Sequence, residues 1–569
     1  MKQRPFLVHL TVGLLMAVLM LSGCASIPKS SAIRQIESNT DSELQEPYRF
    51  DGVGPVENAE PRQIVEGFIE AGASIKEDYR IAREFMTKDL SDKWKGNSRV
   101  LIYEASEVLA GAVTDSYTIQ LEVTGEVDAK GVRTLYPPHS TRAVDVELTK
   151  VEGQWRISRA PDGIMLEAST FPRIFSPRSI YFYDSSYKYL VPDVRWFAAG
   201  TGTATSMVEA MLDGPAPYLE NAVTSAFSQA SQLVRSAVPV SDGVATVDLN
   251  KETFAEATDL SRQLMQQQLE VTLDSVAAVN QVTMKENDTE VNLGDPAPNF
   301  EAAQINPSVP DTQIAVADQS LAFVKGRSVI PVGGMPDLSP YAPRDPAMSP
   351  VGNRYTFLNG KRTQLWSVSD VGELRLAATG GALVRPSMDA FGWTWTADNT
   401  EKQPLVVVPE DIETMGEYRP LSVPWLDDSK IESLRISRDG ARALIVLSKG
   451  RSTHVYIAGV IRDADGVPRG LSENPMEVFA QVPVNTAVWS SDTSIIVAEV
   501  SGDQSVQAEE ITLQNGSELF SYLLGMKGIS AGPGDRRPVY AETADKLLTR
   551  VGNSWHELDD YAKDISYPG

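Results

Sequence analysis

Four histidines and one cysteine are the whole stock of imidazole and thiol ligands in 569 residues. Two of these five, His9 and Cys24, sit near the N-terminus, which leaves His139, His454 and His556 for the body of the chain. A zinc site needs three or four such ligands, so the body is too poor in them, and a disulfide has no second thiol. Asp463-Ala464-Asp465-Gly466 opens like a calcium loop but lacks the later ligands, and reads as a turn between strands. Gly528-Ile529-Ser530-Ala531-Gly532 matches the pattern of a hydrolase nucleophile, with His556 downstream as a nominal base. That chemistry needs a strand before the serine and a helix after it, and Pro533 to Pro538 cannot form the helix. Gly200-Thr201-Gly202-Thr203 lacks the Lys-Ser of a phosphate loop. A glycosidase needs only two carboxylates, and Trp366, Trp393, Trp395 and Trp489 offer stacking faces for a sugar, although aromatic residues at period two in strands are core by default. No catalytic residue, metal site or cofactor is assigned, and the chain reads as non-enzymatic.

Cys24 is the residue placed for chemistry. Lys2 and Arg4 precede a mostly apolar stretch from Phe6 to Leu21, the order of a secretory signal and short for a membrane span. Leu21-Ser22-Gly23-Cys24 then resembles a bacterial lipobox. That resemblance implies that the small residues admit the signal peptidase, that cleavage falls between Gly23 and Cys24, and that the new N-terminal cysteine carries an S-diacylglycerol and an N-acyl (palmitoyl) chain. Several acyl chains, at about 0.8 kcal/mol per buried methylene, hold a protein on a bilayer durably. The expected location is the extracytoplasmic face of the cell membrane. Residues 25–47 are polar without apolar periodicity, and as a flexible tether would span about 25 to 30 Å.

Beyond the tether the body is acidic. Fifty-one Lys plus Arg against 76 Asp plus Glu give a formal net charge of −25, which repels a phosphate backbone and excludes nucleic acid as a partner. Hydrophobic residues at 42% and charged residues at 22% are globular values. At about 150 residues per domain the length predicts three to four domains.

The elements that would carry any surface fall into three units. Residues 61–95 hold two amphipathic patterns, with Ile64, Val65, Phe68 and Ile69 in the first and Tyr79, Ile81, Ala82, Phe85, Met86 and Leu90 in the second. From Val100 to Ile164 the period changes to two, as in Tyr117–Val123 and Ala143–Thr149, giving helices followed by a curled antiparallel sheet. The second unit has strands at 179–183, 189–195, 244–249 and 282–291, a helix over 203–213 and a long helix over about 252–278. The third unit has short strands throughout, apart from a short helical piece near 518–524. A degenerate turn motif begins at Ser349, Ser387, Ser437, Ser490 and Ser530, at intervals of 38, 50, 53 and 40 residues, which is the period of a propeller blade. Five turns, plus residues 311–330 as a source of a closing strand, predict five or six blades.

In the second unit, Tyr181-Phe182, Leu190-Val191-Pro192 with Arg195, Leu212-Asp213-Gly214-Pro215, Gly243–Leu249, and Gln268-Leu269 with Thr272-Leu273 resemble a GerMN domain, which implies a non-catalytic binding module. The chain is therefore expected to be multidomain, two small α+β domains, the second GerMN-like, followed by an all-β propeller-like domain. The expected parts are a lipoprotein signal peptide at 1–23, the lipidated cysteine and tether at 24–48, an N-terminal α+β domain at 49–168, the GerMN-like domain at 172–295 and the propeller at 310–569. In this order, and with the lipobox, the chain is similar to the actinobacterial LpqB lipoprotein family. That resemblance implies an accessory protein that binds the extracellular sensor domain of the histidine kinase MtrB and modulates MtrA/MtrB two-component signalling in cell-envelope and division control. The alternative is an extracytoplasmic protein that binds or cleaves a cell-wall glycan.

Overall fold

The computed structural model describes residues 52–568 except 112, 114, 296–299, 411–417, 428, 515 and 534–537. The signal segment, lipobox, Cys24 and the whole tether lie outside the described residues. The first described element, α1 (Pro61–Ala71), starts where a proline suits the first helical turn and where the Glu60 N–H donates to Gln63 Oε1 at 2.9 Å. Its Ile64, Val65, Phe68 and Ile69 are buried on one face, each contributing about 1.5 to 3 kcal/mol through lost apolar exposure. They pack on a sheet of β1 (Arg99–Ala110), β2 (Ser116–Asp128), β3 (Arg133–Val151), β4 (Gln154–Arg159) and β5 (Ile164–Glu167), in the order β4-β3-β2-β1-β5. All neighbours are antiparallel except β1 and β5. Alternate residues Ile119, Leu121, Val123 and Val127 of β2 point into that core, as period two requires.

The middle domain pairs β6 (Phe175–Tyr183) with β7 (Tyr189–Ala198) and carries α2 (Thr203–Leu212). In a second sheet β8 (Val244–Leu249) runs parallel to β9 (Gln281–Glu286), and β10 (Gln304–Ile305) adds to the outer side of β7. The long helix expected over 252–278 is two pieces, a turn at Lys251–Phe254 and α3 (Asp259–Leu273). The break has a local cause: Thr258 takes an extended conformation and its hydroxyl accepts the Ser261 N–H at 3.2 Å, so a new helix begins there. Gln268, polar yet fully buried in α3, donates to Tyr181 O and accepts from Ala226 N–H, both at 2.8 Å. Its amide thus ties the helix to the β6 edge.

Among the described residues the C-terminal part holds six sheets of four antiparallel strands, with Met476–Val478 added to the fourth, and a small two-stranded sheet of Ser505–Val506 and Leu523–Leu524. Their innermost strands are Lys563–Ser566, Arg344–Met348, Ser387–Met388, Lys430–Ile436, Thr486–Trp489 and Gly528–Ala531, each beside the next, with the last returning to the first. That is a closed six-bladed propeller. Residues 311–330 do not supply the closing strand: 313–317, 320–325 and 328–331 are the three outer strands of the first blade, and the C-terminal Lys563–Ser566 closes it from inside. The 518–524 piece is two short strands, Ser517–Leu519 and Leu523–Leu524, rather than a helix. The recurring motif is a turn. At the fourth blade Asp439 accepts the Ala441 N–H and the Ser437 hydroxyl, while Gly440 takes φ +69° with its α-carbon against the Phe391 ring.

Candidate functional site

Of the residues that carry the GerMN resemblance, Arg195 and Gly214 lie at the junction with the N-terminal domain. Arg195 and Asp193, both without solvent exposure, form a two-pronged ion pair at 2.9 and 2.6 Å. The spare donors of Arg195 reach Lys130 O in the N-terminal domain and Gly214 O, and Asp193 also accepts the Ala216 N–H. Arg133 of β3 lies over the rings of Trp196 and Phe171, at 4.7 and 5.4 Å. On the propeller side, Ser472 donates to Tyr218 O at 2.7 Å, and Gly459 lies so close that an added Cβ would stand 2.4 Å from Ala222 Cβ. Tyr189 meets Phe391 edge to face at 6.4 Å, beside the turns that carry the Ser-x-Asp motif. The middle domain is therefore clamped from both sides by buried polar and apolar contacts.

At its propeller-facing end this clamp leaves a cleft of about 430 Å³. Glu270 and Asp274, one turn apart at the end of α3, form one wall with Val271. Arg178, Ser179 and Tyr181 of β6 form the floor, and Gln514 of the fifth blade reaches across to Ser179 Oγ at 3.3 Å. Burial, and then the charge of Asp492, push the Tyr181 phenol up to about 12, so it remains a neutral donor. Two carboxylates at the negative end of a helix favour a cation, and Arg178 supplies an opposite charge on the floor. The cleft is thus suited to a charged segment of another molecule.

The other candidates resolve into structure. Ser530 is buried in the innermost strand of the sixth blade and accepts the Tyr567 N–H, whereas His556 lies in the outermost strand of that blade, with two strands between them. At about 4.8 Å per strand the pair is far beyond proton-transfer reach. Trp393 and Trp395 have no exposed surface, and Trp489 only 2%, so they offer no face to a sugar. Trp366 packs against Tyr341 with ring centroids 4.4 Å apart and planes tilted by 50°. Asp463 accepts the Asp465 and Val467 N–H groups and pairs with Arg469, completing a turn. In the Gly200–Thr203 segment, Thr203 Oγ1 accepts the Gly200 N–H at the start of α2. His139 and His454 pair with Glu122 and Glu477, each at 2.7 Å.

Among the described residues no cluster of three metal-ligating side chains occurs, and no helix is long and apolar enough to cross a membrane. Two carboxyls are pushed up to about 7, Glu410 by burial and Asp389, Glu542 by burial and Asp564. Asp389 is already committed to the Phe391 and Trp393 N–H groups, the Trp395 indole and Arg462, so it has no lone pair left for a substrate. Residues 459, 472 and 514, which hold the junction, carried no sequence signal, because their partners lie more than 230 residues away.

Three family models match in chain order: the N-terminal domain of lipoprotein LpqB over 54–172, a sporulation and spore germination domain over 179–292, and the LpqB β-propeller domain over 319–568. Among curated proteins, Lipoprotein LpqB of Streptomyces coelicolor is 25% identical, covering 97% of this chain and 96% of its own. That of Cutibacterium acnes is 24% identical with 84% of each chain covered, and that of Mycobacterium bovis 26% with 80% of each. Solved structures with some similarity include TolB from Acinetobacter baumannii (12% identity, 45% of this chain and 65% of that one, TM-score 0.33). The tandem GerMN domains of the sporulation protein GerM from Bacillus subtilis are 17% identical, over 26% of this chain and 59% of that one, at a TM-score of 0.19.

Proposed function

We infer from the premise that the chain belongs to the LpqB lipoprotein family that it is a lipid-anchored accessory protein of the cell envelope, working by docking rather than by turnover. Cys24 is the proposed attachment point, and signal peptide, tether, N-terminal α+β domain, GerMN-like domain and propeller are the proposed parts. The proposed partner is the extracellular sensor domain of an MtrB-like histidine kinase, with modulation of MtrA/MtrB signalling as the outcome. The observation that carries a docking role is the clamped middle domain, which presents the Glu270, Asp274 and Arg178 cleft in fixed geometry. A rigid, preformed cleft loses little entropy when it is filled.

The test is binding of the lipid-free body, residues 25–569, to the purified sensor domain, with kinase autophosphorylation read in reconstituted membranes. Saturable binding that changes autophosphorylation, and that weakens about tenfold when Glu270 and Asp274 are both changed to Ala, supports the reading. Absence of binding at tens of micromolar overturns the kinase partner. Cell-wall glycan fragments in parallel titrations would then test the alternative: their binding, or turnover abolished by a single carboxylate substitution, would replace docking to a kinase.

A further inference from the structure

At the axis of the propeller lies a cavity of about 10 Å³ between the innermost strands of the fourth, fifth, sixth and first blades. That is room for one water-sized body, too small for phosphate, sulfate or a carboxylate ligand. Arg435, Trp489, Ser530 and Ser566 supply its polar lining. Arg435 is 4% exposed, and its Nη1 donates to Leu434 O at 2.9 Å and to Pro386 O at 3.4 Å. Among the described residues no carboxylate stands within 4 Å of its guanidinium. The carboxylate whose charge reaches it, Asp345, is already bracketed by Arg344, Arg362 and Arg385 at 3.1, 2.8 and 3.4 Å. Trp489, 2% exposed, has an indole Nε1 with no hydrogen-bond partner, and an indole N–H can only donate. Ser530 Oγ accepts from Tyr567 N–H at 3.2 Å, which leaves its own hydroxyl proton to donate.

A guanidinium held in the interior without a counter-ion is costly, and a buried donor without an acceptor adds to the cost. Three donor-bearing residues on one lining, one of them charged, call for an acceptor that is negative and of atomic size. A water would satisfy one or two of these donors, but would leave the charge uncompensated and would need acceptors for its own two protons. We propose that the propeller axis holds a single monatomic anion of the halide class, chloride under ordinary conditions, bound by Arg435, Trp489 and Ser530. The site joins four blades and includes the strand that closes the ring, so its occupancy stabilises the closed propeller.

The experiment uses the full chain. Crystals soaked in sodium bromide are expected to give an anomalous peak within hydrogen-bonding distance of Arg435. The thermal midpoint is expected to rise by about 2 to 4 °C per tenfold increase of chloride or bromide above its Kd, relative to sodium gluconate at equal ionic strength. Arg435→Met removes that response. Should this variant fail to fold, Trp489→Phe keeps an aromatic ring beside Arg442 while removing the donor, and it is expected to weaken halide binding several-fold. An ordered water without anomalous signal at the axis, together with equal midpoints in halide and gluconate, overturns the proposal.

Discussion

Asp193 and Arg195 sit two residues apart in β7 and tie the 214–216 turn of the middle domain to Lys130 of the N-terminal domain. Removing one member leaves the other charged and buried, so Asp193→Ala is expected to cost about 3 to 5 kcal/mol in urea unfolding, whereas replacing both with apolar residues should cost far less. Glu542 supports a prediction about pH. Burial, followed by the charge of Asp564, raises its carboxyl from 4.5 to about 7, so between these values the folded state binds more protons than the unfolded one. Stability from this group is therefore present below pH about 4.5 and is lost as pH rises to about 7. The stability difference between Glu542→Gln and the parent is expected to grow from near zero at pH about 4.5 to about 3 kcal/mol at pH 8, measured by denaturant titration. No growth of that difference with pH would contradict the burial of the carboxylate.

Among the elements, the 216–222 segment is the one on which domain docking depends. Gly459 has no room for a Cβ, because Ala222 Cβ and Tyr218 O already occupy that space. Gly459→Val is expected to lower stability by about 1 to 3 kcal/mol and to open the junction to limited proteolysis, whereas the same change at the exposed turn residue Gly450 should leave the junction closed. This contrast marks what one sequence could disclose. The period-two runs, the Ser-x-Asp-Gly turns and the proline that starts α1 are local features, and they led to the three-part order and to a propeller. The break at Thr258 was hidden because the apolar spacing continues across it, and only the cap geometry stops the helix. The cleft was invisible, since Glu270, Arg178 and Gln514 meet only after two domains have docked. The axial cavity was equally hidden: Arg435 reads as an ordinary strand residue until its neighbours from three other blades are known.

At the scale of the whole molecule, the net charge of −25 should steer a basic partner; if the proposed sensor domain presents a basic face, its association is expected to slow several-fold between low and physiological salt while dissociation changes little. Truncation before Lys563 removes the inner strand of the first blade and exposes the edge of Gln313–Ala317. Such a chain is expected to lose the propeller's cooperative unfolding transition and to aggregate through that edge, as read by calorimetry and light scattering. The position of this strand also bears on the birth of the protein. The first blade leaves the ribosome about 230 residues before the strand that completes it. The ring cannot be assembled in the order in which it is made, and must wait with one blade unfinished until nearly the entire chain has emerged. A chain that ends before Lys563 stays an open arc, so closure is a test of length that only a chain reaching Ser566 passes.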